Sequence, residues 1–128
     1  MDDRLVAKLK RACLRIGGKR FQIPGIIERD LADELGRDDW RWFGGGQARL
    51  MRSSKGLRME QSQCHSNSAA VALQRGWECW TGLALSSDGV WRTHSWVRIH
   101  STGTIRETTT RRTDYYGVKV DPRTCGGD

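Results

Sequence analysis

Residues 77–110, "WECWTGLALSSDGVWRTHSWVRIHSTGTIRETTT", alternate apolar and polar side chains with a period of two and are interrupted at Asp88-Gly89 and at Ser101-Thr102-Gly103. A period of two is the signature of a strand with one buried face, and Asp-Gly between two such runs is a strong hairpin signal. The stretch therefore predicts three antiparallel strands in a meander, dominated by β-branched and aromatic residues. One more short strand is expected at "YYGVKV", and residues 119–128 are expected to run out as a loose tail.

Upstream of the meander the periodicity changes. "CHSNSAAVALQR", from Cys64 to Arg75, reads as a helix. Residues 3–16 place Leu5, Val6, Leu9, Ala12, Cys13 and Ile16 at helical spacing, with Asp2 and Asp3 before them and Gly17-Gly18 behind, which predicts an amphipathic helix with a basic outer face. A second, short helix is expected over 25–35, stopped at Gly36. The stretch "RDDWRWFGGGQARLMRSSKG", 37–56, has no regular period and is expected to be a long loop. In it Trp40, Trp42 and Phe43, beside three glycines, suit either a hinged lid or plugs for the core. Helices first and sheet second give an α+β class: one domain over 1–128, with a helical part at 1–36 and a central helix packed on a C-terminal antiparallel sheet.

Composition limits the partners without choosing one. The chain of 128 residues carries a net charge of +7, mostly from arginine, and such a balance favours acidic partners in general. Acids are interleaved with the bases, and the densest basic patch, "KLKRACLRIGGKR", has no finger, RNP or basic-zipper pattern beside it. No apolar run reaches the length of a membrane span and no signal-peptide core is seen, so a soluble, cytoplasmic protein without a membrane partner is expected, with export by another route left open. The four cysteines, at 13, 64, 79 and 125, are irregularly spaced and expected to be reduced.

The candidate chemistry starts at Cys64. In the first turn of a helix, unpaired backbone N–H groups and the positive end of the dipole favour a thiolate. A histidine on a neighbouring strand would serve as base and acid, and a third group would orient it. His94 stands in the middle of one predicted strand and Glu107 in the next. If the turn between them spans His100 to Gly103, Ile99 faces Thr104, Trp96 faces Glu107, and His94 is the diagonal neighbour of Glu107 on the same face. A turn shorter by one residue would reverse Glu107, and Asp114 would then be the next candidate.

The order of a helix-borne Cys64, then "HSWV" in a strand, then an acid in the following strand resembles the papain-like superfamily, and "HSWVRIHSTGTIRE" is most similar to its transglutaminase-like branch. The resemblance covers about residues 58 to 118. It implies thiol-dependent acyl transfer on the amide bond of a peptide or protein substrate, with Cys64 as nucleophile, His94 as base, Glu107 as orienter and no cofactor. It also implies an oxyanion hole from the Cys64 backbone N–H and a glutamine upstream, with Gln61 preferred to Gln63. The third member is Glu here, where Asp or Asn is commoner.

The remaining thiols and imidazoles have simpler readings. Cys13 and Cys79 are expected to pack, His65 to lie at the surface, His100 at an exposed turn, and Cys125 in the tail. Two alternatives from other classes stand beside the enzyme: a non-catalytic basic module for nucleic acid or an acidic protein, and a small zinc domain drawing on Cys64, His65, Cys79, His94, His100 and Cys125. The zinc alternative lacks any Cys-x-x-Cys or His-x-x-x-His pair.

Overall fold

The computed structural model describes residues 3–22, 34–50, 64–108 and 111–123, for residues 47 and 64–66 the backbone only. The fold is α+β. In chain order it comprises α1 (Asp3–Ile16), β1 (Arg20–Phe21), β2 (Arg41–Gly44), a 3-10 turn (Gly45–Gln47), β3 (Ala48–Leu50), α2 (Cys64–Arg75), β4 (Glu78–Leu85), β5 (Val90–Ile99), β6 (Thr104–Glu107) and β7 (Asp114–Val120). Among the described residues no helix is long and apolar enough to cross a membrane.

The antiparallel meander β4–β5–β6 forms as expected, with Glu78 opposite Arg98 and Ile99 opposite Thr104, but β4 is buried on both faces rather than one. The four-residue turn at 100–103 is closed by the Gly103 N–H donating to the Ile99 carbonyl at 2.7 Å, with Gly103 at φ 76°. The strand expected at 115–120 is β7, but it pairs with β4, on the side of the meander away from β6.

The sheet is not the purely antiparallel, C-terminal one expected. It has seven strands among the described residues, in the order β2-β7-β4-β5-β6-β3, with β1 attached to β5, and the β1–β5 and β3–β6 pairs are parallel. Segment 41–50, expected as part of a long loop, instead forms β2, the 3-10 turn and β3. Its two strands of four and three residues are too short to display a period, and their hydrogen bonds come from distant β7 and β6. Because β2 and β3 are separated by a single 3-10 turn yet pair at opposite ends of the sheet, the sheet curls until this segment bridges its ends.

The curl creates an inside and an outside. Phe43, Ala48, Trp80, Ala84, Trp96, Ile105 and Tyr115 form one buried cluster within it, drawn from both ends of the sheet. On the outer face α1 lays Leu9 and Cys13 against Leu83, Leu85 and Trp91, while α2 lays Ala69, Val71 and Ala72 against Cys79 and Val97. Small residues on the inner side of α2 let it approach closely. Gly18, at φ 81°, follows the end of α1, where an added Cβ would meet Leu85 at 2.7 Å and the Trp91 indole nitrogen at 2.9 Å. Of the three aromatics of the expected loop, Phe43 is buried inside, Trp40 packs on Tyr116 with ring centroids 5.3 Å apart, and Trp42 is 55% exposed. The expected helix over 25–35 lies, up to residue 33, outside the described residues, as do the tail residues 124–128.

Candidate active site

His94 points into the curl because strand alternation places it on the face of Trp96, and the same alternation brings Glu107 to that face from β6. Space for the ring comes from glycine: His94 stands opposite Gly82, which in turn stands opposite Gly117. An added Cβ at Gly117 would lie 2.3 Å from the Thr81 carbonyl oxygen and 2.7 Å from the Trp96 ring.

His94 Nε2 lies 2.5 Å from Glu107 Oε1, with 2% and 0% of the two side chains exposed. Facing a carboxylate, Nε2 carries the ring proton and donates it to Oε1, which leaves Nδ1 as the basic nitrogen. The carboxylate has a second donor: Tyr115 Oη–H donates to the same Oε1 at 3.0 Å, and the Arg112 backbone N–H donates to the Tyr115 oxygen at 3.1 Å. Burial, and then the charge of Glu107, push the Tyr115 hydroxyl far above its ordinary titration range, so it stays a donor. Trp96 and Tyr115 flank the imidazole with ring centroids 6.1 Å and 6.3 Å from it.

Of the expected site residues, the structure brings together His94 and Glu107. Asp114, the alternative third member, is directed to the other face of β7, where its Oδ1 accepts the Trp42 indole N–H at 2.9 Å. Cys64 is the first residue of α2, and its thiol lies outside the described residues, as do Gln61 and Gln63. The described part of α2 packs on the outer face, chiefly over β5, while the imidazole is inside. Along that edge of β5, β1 pairs at Val90 and Trp91 and β6 pairs from Val97 onward; among the described residues no strand pairs between them.

Other candidates fall into place around the site. Cys79 and His94 occupy opposite faces of the sheet, and among the described residues no group of three or more His, Cys, Asp or Glu side chains is placed to hold a metal. Cys13 is buried on the sheet-facing side of α1, and burial pushes its thiol up to about 12. His100 is exposed at the turn, as expected, while His65 has its side chain and Cys125 all of its atoms outside the described residues. Tyr115 was not foreseen. The signal available was its place in a strand whose alternate residues had to face the same interior as His94. Compared with known proteins, the chain matches no family model, no curated protein and no solved structure.

Proposed function

We propose that the protein is a thiol-dependent hydrolase or acyltransferase that acts on an amide bond, with Cys64 as nucleophile, His94 as base and Glu107 as orienter. The observation that carries the proposal is the buried 2.5 Å contact between His94 and Glu107, on the two strands that follow a β-strand entered directly from the helix beginning at Cys64. Nδ1 takes the thiol proton and the sulfur attacks the carbonyl carbon. The oxyanion is held by the Cys64 backbone N–H and Gln61. Collapse of the intermediate breaks the C–N bond, the imidazolium passes its proton to the departing amine, and a thioester remains. Water, activated by the same Nδ1, releases the acid and restores the thiol; an amine in place of water gives transfer.

A second reading is favoured by the depth of the pair. A His-Glu-Tyr network this deeply buried also serves to specify a core, and the protein would then be a non-catalytic basic module for nucleic acid or an acidic protein. Limited labelling with iodoacetamide followed by mass mapping separates the two. Preferential reaction at Cys64 over Cys13, Cys79 and Cys125 supports the enzyme; labelling at Cys64 no faster than at Cys125 contradicts it.

A further inference from the structure

The outer face of α1 is built differently from its inner one. Arg4, Lys8, Arg11 and Arg15 are all exposed, and their spacing of four, three and four residues places them in one line along the helix. The line is about 16 Å long at 1.5 Å rise per residue. Lys19 and Arg20, also exposed, follow the helix in the chain, and the only acid between residues 3 and 22 is Asp3. Four cations thus share one line on the exposed side of α1, which Leu9 and Cys13 anchor to the sheet.

A second observation lies on the same side of the sheet. Trp42 stands opposite Tyr116, which packs against the α1 cluster, so its indole projects from the face that carries the helix. It is 55% exposed, and its N–H is engaged by Asp114, which holds the ring without covering it. An oriented, exposed aromatic on the same face of the sheet as a line of cations is a pairing by which proteins hold single-stranded nucleic acid: cations follow the phosphates, and a base stacks on the ring. A duplex uses the cations and has no use for the ring, since its bases are already stacked.

We propose that this face, the α1 ridge together with Trp42, binds single-stranded nucleic acid without sequence preference. This deepens the nucleic-acid reading given above; the surface is separate from the His94–Glu107 pair, which lies inside the curl, so its failure and that of the enzymatic reading are distinguishable.

The test is fluorescence anisotropy with a labelled oligothymidylate of about 20 nucleotides, longer than one binding site. With four to six phosphates neutralised, log K should fall with log salt at a slope of about −3 to −4. Lys8→Glu combined with Arg11→Glu and Arg15→Glu should weaken binding at least about tenfold and flatten the slope. Trp42→Ala should weaken it about tenfold while the slope stays the same, and Trp42→Phe should restore most of the loss. Unchanged binding by either variant overturns the proposal, as does tighter binding to a duplex of the same length or to phosphatidylserine vesicles. Circular dichroism of each variant confirms that the fold is retained.

Discussion

Glu107 reaches His94 along a diagonal of the β5–β6 hairpin, and Oε1 meets Nε2 at 2.5 Å in an interior closed to solvent. The register that allows this is set by the turn at 100–103, which places Ile99 opposite Thr104. One residue fewer in that turn would carry the carboxylate to the outer face. The pairing therefore depends on turn geometry as much as on the two side chains.

Glu107→Ala leaves a buried imidazole without its acceptor, which costs about 1–3 kcal/mol. Glu107→Gln keeps an acceptor and is expected to cost less. Urea denaturation of the two variants checks the order, and iodoacetamide reactivity at Cys64 should fall in the same order. If Glu107→Ala is as stable and as reactive as the parent protein, the carboxylate does not orient the ring.

Tyr115→Phe removes one donor from Glu107 and leaves the Arg112 N–H without its acceptor. A loss of about 1 kcal/mol in stability is expected. Nitrogen-15 spectra of the His94 ring should still show the proton on Nε2, because Glu107 remains, whereas Glu107→Ala should populate both tautomers. A tautomer change in Tyr115→Phe as large as in Glu107→Ala would mean that the hydroxyl, not the carboxylate alone, determines the protonated nitrogen.

Gly117→Ala drives a methyl against the Thr81 carbonyl and the Trp96 ring in a region with no slack. Destabilisation of about 3 kcal/mol or more is expected, read as a fall in the urea midpoint. A variant within experimental error of the parent would show that the sheet is looser where β4 pairs with β7 than the packing indicates.

Stability should decline in alkali. Burial raises the Cys13 thiol from its ordinary value near 9.0 to about 12, and the Tyr115 hydroxyl is raised as well. Both groups keep their protons in the folded protein at a pH where the unfolded chain loses them. Their contribution is fully present below the unfolded values and is lost as pH rises towards the folded ones, at about 1.4 kcal/mol per pH unit for each group. Cys13→Ala should flatten the fall that begins at about pH 9. An equally steep fall in that variant would assign the effect to other groups.

The legible parts of this fold were those with a repeating signal. Two runs of eight and ten residues rich in β-branched and aromatic side chains, β4 and β5, with Asp88-Gly89 between them, identify a hairpin, and α1 shows its apolar stripe over about four turns. From these followed the register that puts Glu107 beside His94. Strands β2 and β3 carried no such signal: they are too short, and long-range pairing with β7 and β6 holds them in place. For a related reason the contact of Tyr115 with Glu107, unlike the inward face of Tyr115, was not legible. Its partner Glu107 is eight residues away in sequence, but the two elements are not neighbours in the sheet, and only the curl brings them together.

The central claim is that His94 activates the thiol of Cys64, and the pH profile of iodoacetamide alkylation at that residue, followed by mass mapping in the parent protein and in His94→Ala, tests it most directly. An ordinary thiol reacts in proportion to its ionised fraction, with a midpoint at roughly 8.5. The account predicts that Cys64 of the parent keeps reacting about two pH units below that midpoint and that His94→Ala returns it to the ordinary profile. Superimposable profiles in the two proteins, with the fold intact in both, would contradict it.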